Sequence, residues 1–243
     1  MGERHLTLVL PAFNEAHKIL ADLKRWEDFL SVQPFQSEIL VVDDGSRDDT
    51  LLRLEDWQAA PRASNLTFHF ESYRPNRGKG FALKTGALHA TGKWLAFVDV
   101  GGCIEPEALT RALSLLEKGN DVVLASRRHK DSQWAKKAQL HRQLGSRAFR
   151  FLIAKIFGVP FSDTQCGFKA YRGEVGRRLF QNLHTDGFMF DLEILLRARK
   201  EGLRIVEFPV RWKTDGDTRY HLVSGTLMNA KELFRIWKNI QAE

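Results

Sequence analysis

Short apolar runs that stop abruptly in polar residues recur along the first half of the chain. Leu6–Leu10 gives way to Pro11-Ala12-Phe13-Asn14-Glu15, and Glu38–Val42 to Asp43-Asp44-Gly45-Ser46. A near-continuous apolar run of this length reads as a parallel strand buried on both faces. Between them the period changes: Ile19, Leu20, Leu23, Trp26 and Leu30 fall on one face of a helix over His17–Leu30. The alternation continues. A helix opened by Ser46 or Asp48 turns Leu51, Leu52, Leu54 and Trp57 inward, and strand Leu66–Ser72 precedes a helix over Phe81–Ala90. Strand Lys93–Val98 ends in Asp99, followed by a helix over Pro106–Glu117 and a strand over Asp121–Ser126. This predicts an α/β fold around a predominantly parallel sheet. Ligands of such sheets bind at the carboxyl ends of the strands, which is where the polar stops stand.

The second half carries a different signal. Between Ala135 and Pro160 stand Lys136, Lys137, Arg142, Arg147, Arg150 and Lys155 without a single acid, interleaved with Phe149, Phe151, Leu152, Ile153, Ile156 and Phe157. A basic amphipathic helix suits an anionic membrane surface, and equally a core helix with a solvated face. Residues 224–240 read as a terminal amphipathic helix. No repeat, low-complexity tract or composition break interrupts the 243 residues, which predicts one domain. The formal charge of +7 favours a polyanionic partner. Aromatics on a basic sheet, the mark of a nucleic-acid module, are missing, so no nucleic acid is expected. Two cysteines, Cys103 and Cys166, do not make a disulfide scaffold and fit a reducing compartment. No apolar stretch approaches the roughly 20 residues of a spanning helix, and none precedes Leu6 as a signal peptide would. The expectation is a cytoplasmic protein, soluble or peripheral to a membrane.

The strand ends supply candidate chemistry. Adjacent carboxylates at Asp43 and Asp44, followed by a Gly-Ser turn, can accept from a base N–H and from ribose hydroxyls, or can simply cap the next helix. In Asn76-Arg77-Gly78-Lys79-Gly80, the glycines allow close backbone approach to a ligand and Lys79 adds a cation. As a plain helix entry the segment needs no ligand.

Five segments taken in order resemble a family 2 glycosyltransferase with the GT-A nucleotide-sugar fold, and more narrowly the dolichyl- or polyprenyl-phosphate mannose and glucose synthases. They are Pro11–Glu15, Asp43–Ser46, Asn76–Gly80, Asp163-Thr164-Gln165-Cys166-Gly167-Phe168-Lys169 and Pro209-Val210-Arg211-Trp212. The resemblance spans nearly the whole chain. It implies a nucleotide-binding half over 1–126 and an acceptor half over 127–220. Pro11, Ala12, Asn14, Glu15, Asp43, Asp44, Lys79, Asp99, Val100, Gly101 and Arg219 would hold the nucleotide sugar. Arg127, Arg142, Ser146, Asp163, Gln165 and Asp191 would hold the acceptor. Asp191 and Glu193 open a helix facing the same cleft, where they serve sugar hydroxyls, act as a base, or are ordinary first-turn acids.

One departure stands out. The family presents Asp-x-Asp for a divalent cation, Mg²⁺ or Mn²⁺, whereas this chain reads Asp99-Val100-Gly101. Asp99 alone remains as a metal ligand, which lowers the expected affinity. Lys213 and Arg219, at the place of the family's basic loop, can stabilise a leaving diphosphate instead. The resemblance thus implies an inverting transfer of mannose or glucose from a GDP- or UDP-hexose to a polyprenyl phosphate. Asp99, Arg127, Arg142, Lys213 and Arg219 would be catalytic, and the site would lie at the cytoplasmic face of a membrane. Two other readings remain open: transfer to a saccharide hydroxyl, with Asp191 as base, and a degenerate sugar-nucleotide-binding protein, suggested by Gly101.

Overall fold

A computed structural model describes residues 5–134, 153–213 and 222–242. Its core is a seven-stranded sheet in the order β3-β2-β1-β4-β7-β5-β8. The strands are β1 (Leu6–Ala12), β2 (Ser37–Asp43), β3 (Leu66–Ser72), β4 (Trp94–Val98), β5 (Val122–Ser126), β7 (Phe168–Arg172) and β8 (Ile205–Pro209). β6 (Gln133–Trp134) and β9 (Arg211–Trp212) pair separately as a parallel two-stranded sheet. The main-sheet strands pair in parallel except β7, which lies antiparallel between β4 and β5. Register brings Ala12, Asp43 and Ser72 side by side, so three strands end at one edge.

Helices α1 (Ile19–Ser31), α2 (Thr50–Gln58), α3 (Lys79–His89) and α4 (Glu107–Glu117) follow the first four strands. α5 (Gly173–Gln181), α6 (Phe190–Lys200) and α7 (Leu222–Ala242) complete the order. Alternation of side chains divides the core between the sheet's two faces. Leu6, Leu8, Leu10 and Ala12 join Leu23, Trp26 and Leu30 of α1 and Leu109 and Leu113 of α4 in one cluster. Val9, Leu40 and Val42 join Leu83 of α3, Leu179 of α5 and Ile194 of α6 in the other. α7 packs Leu233 and Ile236 on Met189, Leu192 and Leu196, together with Ile153 and Val159.

The first five expected strands all form, with ends moved by a residue or two. β7 and β8 are the additions: Lys169 and Glu207 interrupt their apolar runs, and each is held by the protein. Lys169 Nζ donates to the Cys166 carbonyl at 2.9 Å, and Glu207 accepts from the Ser162 and Asp163 amides at 3.0 and 3.1 Å. Leu52, expected inward, is 56% exposed, while Leu54 carries the burial of α2. Most of the basic segment 135–160 lies outside the described residues.

Candidate active site

The cleft at the carboxyl edge begins at β1 and β2. Asp43 accepts from the Ser46 amide at 3.2 Å and from Ser72 Oγ at 2.9 Å. Asp44 accepts from Asn76 Nδ2 at 2.7 Å, the Arg77 amide at 2.7 Å and the Gly78 amide at 2.8 Å. Its buried carboxylate therefore ties the Asn76–Gly78 turn to the end of β2. A carboxylate has about four lone-pair sites, so most of its capacity is already spent on the protein. Asn14 adopts a left-handed backbone (φ 54°). Its amide donates to Ser46 Oγ at 2.8 Å and its Oδ1 accepts from the Arg47 amide at 2.7 Å. The Glu15 amide donates to Thr50 Oγ1 at 2.8 Å, and the Glu15 carboxylate lies 3.1 Å from Lys18 Nζ. Pro11 and Ala12 end β1 beside these groups.

The glycines after Asp44 allow a close approach of protein backbone. A Cβ on Gly78 would stand 2.5 Å from the Asp186 carbonyl, and one on Gly80 2.3 Å from the Thr185 carbonyl. They admit the backbone of residues 185–187, which is itself anchored: Glu193 accepts from the His184 and Thr185 amides at 3.0 and 2.9 Å. The Phe81 amide donates to the Asp186 carbonyl at 3.1 Å.

This packing aims Lys79, the first residue of α3, across the cleft. Its Nζ stands 2.6 Å from Asp99 Oδ1 and 2.8 Å from Oδ2. Burial opposes the charge of Lys79, but Asp99 and Asp191 outweigh it and raise its pKa. Asp99 is wedged from the other side as well: a Cβ on Gly167 would fall 2.3 Å from Asp99 Oδ2. Val100, expected at the nucleotide sugar, packs its side chain into the core. Gly101 takes φ 123°, a conformation L side chains rarely adopt. Its amide donates to Asp22, which Arg25 Nη2 holds at 2.8 Å.

On the far side Arg127, at the end of β5, grips Asp163 with two parallel bonds, Nε to Oδ2 at 2.7 Å and Nη2 to Oδ1 at 2.8 Å. The Arg127 amide adds a third at 3.0 Å, and the guanidinium lies 5.5 Å from the Trp212 ring centroid. Burial opposes ionisation of Asp163, yet Arg127 more than offsets it and holds the carboxyl below its usual range. Gln165 lends its carbonyl to Arg127 at 3.3 Å and its side-chain amide to Met189 Sδ at 3.9 Å. Burial pushes the nearby Cys166 thiol up to about 12, so it stays protonated. Asp191 is buried 2.6 Å from Lys169 Nζ. Burial raises its pKa despite the lowering influence of Lys169 and Lys79.

Asp99, Lys79, Arg127, Asp163, Gln165 and Asp191 are thus brought together around β4, β7 and β5. Lys213 pairs with Glu105 at 2.8 Å, and its amide donates to the Cys103 carbonyl at 2.9 Å, beside the loop that follows Asp99. Arg142, Ser146 and Arg219 lie outside the described residues. Sequence reasoning missed Lys169, fully buried in a central strand; its signal was a lone charge inside an otherwise apolar run. It also missed Asp22, whose role depends on a loop 79 residues away. Among the described residues no cluster of three His, Cys, Asp or Glu side chains could hold a metal.

Residues 7–180 match the family profile of Glycosyl transferase family 2. A dolichyl-phosphate beta-glucosyltransferase of Dictyostelium discoideum is 31% identical over 242 residues, covering 96% of this chain and 73% of the relative. The Saccharomyces cerevisiae protein of the same name is 32% identical over 247 residues, covering 95% and 73%. Among solved structures, a glucosyl-3-phosphoglycerate synthase from Mycobacterium tuberculosis, crystallised with Mn²⁺ and UDP-glucose, superposes with a TM-score of 0.67 at 19% identity. That alignment covers 95% of this chain and 77% of the other. The fold is therefore of the GT-A type, a mostly parallel sheet alternating with helices, and the chain belongs to glycosyl transferase family 2.

Proposed function

We propose that this glycosyltransferase moves glucose from a nucleoside diphosphate to a polyprenyl phosphate such as dolichyl phosphate, at a membrane surface and with inversion. The observation that carries the reading is the line of paired charges across the strand ends: Lys79 on Asp99, then Arg127 on Asp163. The first pair faces the nucleotide edge of the cleft and the second its opposite side. The names of the relatives, dolichyl-phosphate beta-glucosyltransferases, support the sugar and the lipid class.

In this mechanism an oxygen of the acceptor phosphate attacks the anomeric carbon as the bond to the nucleoside diphosphate breaks on the opposite face. A phosphate monoester has a second pKa of about 6, so the acceptor is largely dianionic at neutral pH and needs no base. Asp191 fits that requirement. Its carboxylate is buried against Lys169 and sets the charge behind the cleft, whereas a sugar-hydroxyl acceptor would need it as a base in contact with substrate. Lys79 stabilises charge developing on the diphosphate, and Arg127, oriented by Asp163, sets its guanidinium charge toward the acceptor phosphate. The two-carboxylate cation site of the family does not fit this chain, because the second position is Gly101 in a glycine-only conformation.

The membrane part of the proposal rests on α7. Among its described side chains the exposed ones are Ala230, Lys231, Phe234, Arg235, Trp237 and Lys238, with no acid among them. Phe234 and Trp237 are 66% and 45% exposed and stack at 6.2 Å. Aromatics flanked by cations suit the interface of an anionic bilayer. No helix among the described residues is long and apolar enough to cross a membrane.

The test is a donor and acceptor panel read by release of nucleoside diphosphate. UDP-glucose with dolichyl phosphate should give turnover. Turnover with maltose or another soluble saccharide in place of the lipid would favour the hydroxyl-acceptor reading instead.

A further inference from the structure

The cleft contains a cation of its own. We propose that the Lys79 ammonium occupies the place on Asp99 where relatives with two acids hold a divalent ion, so that the nucleotide diphosphate binds this chain without metal. The inference rests on the donor-site reading above and goes beyond it.

Three independent features converge. Lys79 Nζ contacts both oxygens of Asp99, at 2.6 and 2.8 Å, which is how a cation would approach that carboxylate. The ammonium is placed by the fold rather than by chance. Asp44 fixes the turn before it through three hydrogen bonds, Gly80 seats the following residue against the Thr185 carbonyl, and the Phe190 ring lies 5.7 Å from Nζ. On the opposite side Gly167 closes against Asp99 Oδ2 so tightly that a methyl group there would clash. A divalent ion on this carboxylate would share it with the Lys79 ammonium.

The second feature is Gly101. Its φ of 123° and the bond from its amide to Asp22 hold the loop in a shape that no acidic residue adopts without strain. Asp22 is itself tied to Arg25. The missing second carboxylate is thus built into the loop.

The third is charge balance. Around the cleft Asp99, Asp163 and Asp191 face Lys79, Arg127 and Lys169, each acid within 2.8 Å of a cation. A hard divalent ion is held by surplus oxygen charge, and each of these three carboxylates already has a cation against it. An incoming diphosphate dianion instead meets the Lys79 ammonium held on Asp99.

Calorimetry with UDP-glucose, on protein freed of metal by EDTA and again in excess Mn²⁺, tests this, alongside the electron paramagnetic resonance signal of Mn²⁺ without nucleotide. Wild type should bind UDP-glucose within about twofold in both conditions and leave the free Mn²⁺ signal undiminished. Lys79→Ala should lose at least tenfold of the metal-free affinity, recover much of it in Mn²⁺, and deplete the free Mn²⁺ signal. Adding Asp99→Asn to that variant should abolish the depletion, and Lys79→Arg should retain metal-free binding. Wild-type binding that falls tenfold or more in EDTA overturns the proposal, as does a Lys79→Gln variant that binds like wild type without metal. If neither UDP-glucose nor GDP-mannose binds wild type under any condition, the donor-site reading itself fails, and the inference with it.

Discussion

Asp44 is where a ligand-binding expectation meets a structural duty. Its three bonds to the Asn76–Gly78 turn mean that Asp44→Ala removes the anchor of the Lys79 loop along with any contact to ribose. Losing a charged hydrogen-bond partner costs about 1.5–3 kcal/mol. Urea unfolding should report a loss of that order, and calorimetry should find nucleotide binding abolished. Asp163 makes a pH prediction. Its carboxyl is held below the usual range by Arg127, so the pair stabilises the fold fully above the unfolded pKa, near 4. That stability disappears as pH falls through the lower, folded value. Stability measured by urea midpoints should therefore drop on acidification with a slope of up to about 1.4 kcal/mol per pH unit from this proton. Asp163→Asn should be less stable at neutral pH and lack that share of the slope; an unchanged slope would mean that Asp163 is not held ionised.

Among the elements, α7 contributes to the site and to the surface at once. Glu232 accepts from the Met189 amide at 3.0 Å and so ties the start of α6 from behind, while Phe234 and Trp237 point outward. Burying such a side chain is worth roughly 1.5–3 kcal/mol. Phe234→Ser combined with Trp237→Ser should lower partitioning onto phosphatidylserine vesicles at least tenfold in co-sedimentation, and high salt should weaken wild-type binding. Equal sedimentation of variant and wild type would place the membrane contact elsewhere. The elements most legible in sequence were those with uninterrupted patterns: β1 and β2 because both faces are buried, and α1 because Ile19, Leu23, Trp26 and Leu30 keep helical spacing. β7 and β8 were illegible because each carries a charge inside its apolar run, the buried Lys169 or the half-buried Glu207, whose partners come from elsewhere in the chain. The candidate site divides the same way. Asp99, Arg127 and Asp163 could be read because they end strands or sit in a motif. The function of Gly78 and Gly80 could not, because the backbone they admit belongs to residues 185–187.

For the molecule as a whole, the sheet order places the ends of β2 and β1, the Lys79–Asp99 pair and the Arg127–Asp163 pair in one row, and the proposed transfer passes along it. The most direct test incubates the protein with UDP-[¹⁴C]glucose and dolichyl phosphate in mixed micelles, then extracts into organic solvent. The label should move into the organic phase as a single acid-labile product with the mass of a dolichyl phosphoglucose, β at the anomeric carbon. Arg127→Ala should suppress its formation by about 10²–10³, the usual cost of one preorganised donor. Label that stays in the aqueous phase while UDP-glucose demonstrably binds, or that moves to a saccharide hydroxyl, would contradict the account.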